Sequence, residues 1–369
     1  MEQYTEYELG AICSRLSSGK GISARNITDE GEYPVYGGNG LRGYTGTCNF
    51  DGDCAIIGRQ GAFCGNVRYF NGQAYMTEHA VVCCANEEHN TRYLAYLLST
   101  MNLGRLSGQS AQPGLSVKTL SKQIVRMPSL EQQKKVVSVL SALDAKIASN
   151  EKINDNLQQQ ALAVFQQELL RDGELPEGWT NGSLLDIANY LNGLAMQKYR
   201  PAEGETGLPV LKIKELRQGS CDASSELCSP SIKPEYIIHD GDVVFSWSGS
   251  LLVDLWCGGT CGLNQHLFKV TSEKYPKWFY YAWTAHHLAR FVAIAADKAT
   301  TMGHIKREEL AKAEVAIPDA ASMERIGGIL RPMYDLIISN RIENRKLAAL
   351  RDTILPQLMS GEMDVSDLT

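Results

Sequence analysis

No stretch of this 369-residue sequence approaches the roughly 18 consecutive apolar residues that a membrane-crossing helix needs. A surplus of positive charge is missing too. The 36 basic and 42 acidic residues leave a net charge of −6, so composition alone does not mark a nucleic-acid binder. Ordered cysteine spacing is also absent. The ten cysteines include no C-x-x-C pair; the closest are adjacent Cys83 and Cys84, and Cys257 with Cys261. That pattern favours buried free thiols over a zinc site or a disulfide framework. Nor is there a G-x-x-x-x-G-K-[ST] phosphate loop, a strand-to-helix G-x-G-x-x-G, or an H-E-x-x-H helix. The segment SSGKGIS carries Lys20 but lacks the first glycine and the hydroxyl that should follow the lysine. Met1 leads into polar EQYTEYE, which does not resemble a secretory or transit leader, and a cytoplasmic location is expected. What remains is a composition of ordinary globular character, 44% hydrophobic and 21% charged, at a length that predicts two or more domains.

The chain is organised by an internal repeat. Residues 129–171 align without gaps over residues 319–361, an offset of 190: Leu140 falls on Leu330, Ile147 on Ile337, Asn150 on Asn340, and Asn154 on Asn344. In the first copy Val136, Leu140, Leu143, Ile147, Asn150, Asn154, Leu157, Ala161 and Val164 step alternately by four and three, and the second copy follows suit. This 3.5-residue period predicts two long helices with a coiled-coil seam. About forty helical residues would span roughly 60 Å, and a lone seam of that length needs a partner. If the two run antiparallel, Asn150 faces Asn344 and Asn154 faces Asn340, so these four amides would fix the register of the pair. Pro332, after Gly327 and Gly328, predicts a kink or break in the second helix, and Pro356 a shortened last turn.

The regions outside the helices echo each other. Asp51-Gly52-Asp53 matches Asp240-Gly241-Asp242, each ahead of a strand-like run, and Glu78-His79 matches Gln265-His266. The aspartates read as turn residues rather than metal ligands. The two histidines have no matched nucleophile and read as structural or loop-positioning. GGNGLRGYTG reads as a flexible hairpin or a DNA-facing loop rather than a nucleotide-binding loop, because no helix follows it. Both regions then turn helical and end in a Gly-containing polar loop before the long helix: SGQSAQPGLSVKTL in one and ADKATTMGHIKREEL in the other. The expected fold class is therefore α+β, with an internal pseudo-twofold repeat: two similar globular domains at 1–128 and 173–318, separated by two long antiparallel coiled-coil helices at 129–172 and 319–369.

These segments resemble the specificity subunit of a type I restriction–modification system. The resemblance rests on LPEGW (Leu175–Trp179) opening the second domain and on the helix entry LEQQKKVVSVLSALDAKI between Pro128 and Asn150. DGDCAIIGRQGAFCG and IHDGDVVFSWSG add the look of target-recognition cores, and the 190-residue repeat completes it. The first domain departs from it by lacking an LPxGW opening. The first helix carries QQQALAVFQQELL where the second has RKLAALRDTILPQL. The resemblance implies a chain without catalysis of its own. Its two target recognition domains would each read half of a bipartite site on double-stranded DNA, and its helices would set the gap. They would also dock two adenine-methyltransferase subunits, with a pair of motor-nuclease subunits added in complexes that cleave. S-adenosylmethionine, ATP and Mg2+ would then belong to those partners, and none to this chain.

Base contacts would come from loops presenting amide, guanidinium and ammonium groups. The candidates in the first domain are Asn39, Arg42, Arg59, Gln60, Gln109, Gln112 and Lys118. In the second they are Lys212, Lys214, Trp247, Lys298, Thr300, Thr301, His304, Lys306 and Arg307. Divided by region, the net charge is zero over 1–127, −1 over 128–172, −3 over 173–318 and −2 thereafter. With no basic region, such a reader would depend on its partners for electrostatic grip on DNA. The reading that competes with it is a coiled-coil scaffold joining two ligand-binding modules without DNA specificity.

Overall fold

The computed structural model describes residues 4–107, 114–170, 173–297 and 305–365. They fall into two compact units, Met1–Ala145 with Ala348–Thr369, and Lys146–Leu347. Each is of α+β type.

The first unit is built on a six-stranded sheet in the order Cys13–Ser18, Ala80–Ala85, Phe50–Gly58, Val67–Met76, Tyr33–Gly37 and Gly40–Thr45. All neighbours are antiparallel except Tyr33–Gly37 against Val67–Met76. The interior strand AVVCCA, second from one edge, is apolar on both faces because both are covered: Val81 and Cys83 face one cluster and Ala80 and Val82 the other. Asn90 caps the helix Thr91–Thr100 by accepting from the Tyr93 amide. That helix lays Leu94 and Leu98 on the sheet in a core that also takes Val136 and Leu140 from one long helix and Ile354 and Leu358 from the other. A two-stranded ribbon, Thr5–Glu8 with Ile124–Met127, leads into the first long helix.

The second unit divides its strands between two four-stranded sheets. One has the order Asn189–Asn192, Leu267–Thr271, Val243–Ser246, Leu252–Leu255; the other Leu227–Cys228, Leu208–Leu211, Cys261–Leu263, Ile237–Ile238. Its core is aromatic, with Tyr190, Phe245, Phe279, Trp283 and Phe291 buried beside Phe165 of the first long helix and Leu330 of the second. The ribbon Thr180–Ser183 with Glu314–Ile317 repeats that of the first unit.

The long helices run Leu130–Leu169 and Ala320–Ser360. Within the second unit they are antiparallel. Asn150 Nδ2 donates to Asn344 Oδ1 at 2.8 Å, Asn340 Nδ2 to Asn154 Oδ1 at 2.9 Å, and Arg325 forks onto Glu168. Within the first unit Arg351 reaches Asp144 at 3.1 Å. The second helix passes Pro332 and Pro356 without a break and runs on to Ser360, against the sequence expectation. Pro332 lies on the exposed side and the position before its turn, Gly328, has open space around it, while Ile326, Leu330, Tyr334 and Ile337 bury the opposite side. The lost amide bond is thus outweighed by apolar burial along the seam. A second difference concerns Asp51 and Asp53. They lie inside the strand Phe50–Gly58, with Asp51 opposite Gln73 and bonded to its amide at 2.8 Å, and not in a turn before it.

Candidate nucleic-acid interface

At one end of the six-stranded sheet the chain assembles a small frame from backbone groups. Arg59, just past the strand Phe50–Gly58, donates its amide to the His79 carbonyl at 3.0 Å. Its own carbonyl accepts from the Leu115 amide at 2.8 Å. Gly19 closes the far side by donating to the Ala80 carbonyl at 3.0 Å. The His79 ring is held by its neighbours, Nδ1 at 3.0 Å from Gln60 Oε1 and Nε2 at 3.4 Å from Glu78.

The hairpin Tyr33–Gly37/Gly40–Thr45 packs its turn onto this frame. A Cβ on Gly38 would lie 2.9 Å from the His79 carbonyl oxygen, so only glycine lets the turn come so close. A Cβ on Gly37 would lie 2.7 Å from Arg42 Cδ, and one on Gly40 3.1 Å from Arg68 Cζ. Asn39 is exposed at the tip. Asn39, Arg42, Arg59 and Gln60 therefore share one surface. Arg68 joins them although nothing in its strand-like surroundings, NVRYF, distinguishes it in sequence. Lys118 is exposed on the short helix Val117–Ser121, three residues beyond Leu115. Three arginines around a glycine turn make a compact source of forked donors, suited to phosphate or base-edge acceptors.

The second unit contains the same frame. Trp247 donates its amide to the His266 carbonyl at 3.4 Å and accepts from the Ile305 amide at 2.9 Å, and Gly193 donates to the Leu267 carbonyl at 3.0 Å. His266 Nδ1 lies 3.1 Å from Ser248 Oγ. Trp247 Nε1 donates to Asn192 Oδ1 at 3.0 Å, and Arg307 reaches the carbonyl of neighbouring Tyr190 at 3.5 Å. Trp247, Lys306 and Arg307 thus gather where Ile305 meets the frame. Lys212 and Lys214 are engaged elsewhere: Lys212 pairs with Glu226, and Lys214 with Asp222 at 3.5 Å. Gln109, Gln112, Lys298, Thr300, Thr301 and His304 lie outside the described residues.

Two further contacts carry no sequence signal. Arg341 forks onto Asp254 with both bonds at 2.7 Å, and Arg345 onto Asp240 at 2.7 and 2.8 Å, tying the second long helix to the strands of its own unit. Burial works against the Arg341 charge, but the Asp254 carboxylate outweighs it and the guanidinium is held more firmly protonated than usual. The Arg345 fork holds the Asp240 carboxyl below the ordinary carboxylate range. Among the described residues no group of three His, Cys, Asp or Glu side chains could hold a metal ion, and no helix is long and apolar enough to cross a membrane.

Two α+β units with one repeated frame, each unit packed on segments of both long helices, define a duplicated two-unit protein. The chain belongs to the family of type I restriction–modification DNA specificity domains, whose sequence model matches residues 1–159 and 176–350. It is 42% identical over 140 residues to the EcoprrI type I restriction enzyme specificity subunit of Escherichia coli, covering 37% of this chain and 35% of that one. To the MjaIX specificity subunit of Methanocaldococcus jannaschii it is 25% identical over 304 residues, 75% of this chain and 70% of that one. The alignment thus spans about a third of the first relative's length. In fold it is similar to the type I restriction–modification S subunit of M. genitalium, with a TM-score of 0.64 at 15% identity over 97% of this chain and 96% of that one. The protein is therefore a member of a DNA sequence-recognition family, that of the specificity subunits.

Proposed function

We propose that the chain reads a bipartite site on double-stranded DNA, one half with each unit. The long helices, paired as a coiled coil, set the gap between the halves and dock two adenine-methyltransferase subunits. Those subunits supply S-adenosylmethionine chemistry. Motor-nuclease subunits, where present, add ATP- and Mg2+-dependent translocation and cleavage. The observation that carries the reading is the repeated frame, which holds different side chains (Arg59 against Trp247) at the same backbone position in a chain of this family. Two readers of unlike half-sites need one scaffold and two sets of side chains.

The test combines the purified chain with its matched methyltransferase subunit, S-adenosylmethionine and a DNA library. The expected result is adenine methylation at a bipartite sequence that requires both polypeptides. Methylation by this chain alone, or methylation by the partner with the same sequence preference when this chain is left out, refutes it. So does a chain that assembles with the partner yet confers no sequence dependence, which is the outcome for a mere scaffold.

A further inference from the structure

The repeated frame holds its central residue by main-chain atoms only. Arg59 and Trp247 each give an amide to a histidine carbonyl and a carbonyl to the amide of the segment leading into the long helix. Neither side chain takes part, so either can be exchanged without removing a frame bond. The residues around this node are kept in kind. His79 corresponds to His266, Leu115 to Ile305, and Gly19 to Gly193. A Cβ on either glycine would fall 2.1 or 2.2 Å from a backbone oxygen, which makes glycine obligatory at both. The node itself changes from a guanidinium to an indole.

The two side chains differ in what they can still offer. Among the described residues, the Arg59 guanidinium meets only Ser18 Oγ, at 3.4 Å, so its remaining N–H groups stay available for a forked contact. The single N–H of Trp247 is committed to Asn192, and its ring lies against Phe268 and His266, with centroids 5.7 and 6.1 Å away. An arginine fork matches the O6 and N7 acceptors of guanine, whereas an indole with its donor spent can make only apolar contact, as with the thymine methyl group.

Resting on the DNA-reading function above, we infer that this node is where the two half-sites are told apart: Arg59 demands a guanine at one position of the first unit's half-site, and Trp247 makes a donor-free contact at the corresponding position of the other.

The experiment uses the full chain in complex with its methyltransferase subunits and a library randomised across both half-sites, read by sequencing the methylated adenines. The wild-type complex must return a bipartite motif; if it does not, the DNA-reading function itself falls. Given that motif, Arg59→Ala is expected to lower discrimination for guanine at one position of one half-site roughly 10- to 100-fold, leaving the other half-site intact. Arg59→Lys keeps the charge and loses the fork, so it should relax the same position while the salt dependence of binding stays as in the wild type. The lysine variant decides the matter if the alanine variant folds poorly. An unchanged motif with uniformly weaker methylation would make Arg59 a phosphate contact and overturn the inference. A change in both half-sites from the lysine variant would overturn it as well.

Discussion

Replacing Asn150 by leucine, alone and then together with Asn344, separates what the amide layer costs from what breaking it costs. Asn150 is 1% exposed and donates to Asn344 Oδ1 at 2.8 Å and to Glu343 Oε2 at 2.6 Å. Among the described residues its own Oδ1 is buried without a partner, so the native layer already carries a penalty. Asn150→Leu leaves the Asn344 carbonyl facing an apolar side chain, at a cost of about 1–3 kcal/mol. For a unit of this size that lowers Tm by about 3–10 °C. The double change Asn150→Leu/Asn344→Leu removes both polar partners at once. The Ile147 carbonyl loses its 3.2 Å contact from Asn344 but keeps its place in the helix ladder. A leucine at buried position 150 contributes about 1.5–3 kcal/mol, and one at half-buried position 344 contributes less. Tm should therefore return to the wild-type value or exceed it. Scanning calorimetry of the wild type, the two single variants Asn150→Leu and Asn344→Leu, and the double variant closes a double-mutant cycle, with an expected coupling above about 1 kcal/mol. Single losses that simply add would refute the argument, because the two amides would then not depend on each other.

Arg341→Met should destabilise the second unit by about 1.5–3 kcal/mol, because the Asp254 carboxylate loses both bonds of the fork; Arg341→Lys should recover only part of that, as read by denaturant midpoint. The Asp240 carboxyl, held low by Arg345, contributes stability that is complete above the ordinary carboxylate pKa of about 4 and is lost as pH falls through its lower folded value. Melting temperature should accordingly drop more steeply below about pH 4 in the wild type than in Asp240→Asn. Two adjacent glycines of the second long helix should respond in opposite directions. Gly328→Ala meets open space and should stabilise by about 0.5–1 kcal/mol, while Gly327→Ala places its Cβ 2.9 Å from buried Trp278 Nε1 and should lower Tm.

What the sequence discloses is what recurs. The alternation of three and four from Val136 onward marks a long helix because each step returns to one face, and the α+β class follows from short apolar runs divided by glycine-rich turns. Pro332 misleads because its effect depends on which side of the helix it occupies, and that is set by burial of Ile326 and Tyr334 far more than by local propensity. The Arg345–Asp240 fork joins residues 105 positions apart, and the Arg59–Leu115 and Trp247–Ile305 bonds run between main-chain atoms, which leave no trace in side-chain identity. Lys212 and Lys214 show the converse. Their residue type suits DNA, yet Glu226 and Asp222, brought alongside by the fold of the following loop, already pair with them.

The core of the first unit draws on both ends of the chain: Ile354, Leu358 and Met359 pack with Leu9, Leu94 and Val136, and Tyr4 Oη donates to the Leu358 carbonyl at 3.4 Å. The second unit is one uninterrupted stretch. On the ribosome the order of completion is therefore reversed from the order of synthesis. The half made first waits, with part of its apolar surface uncovered, until residues 348–369 emerge, and the half made second can close before them. A premature stop near residue 347 would for that reason injure the domain that had already been translated.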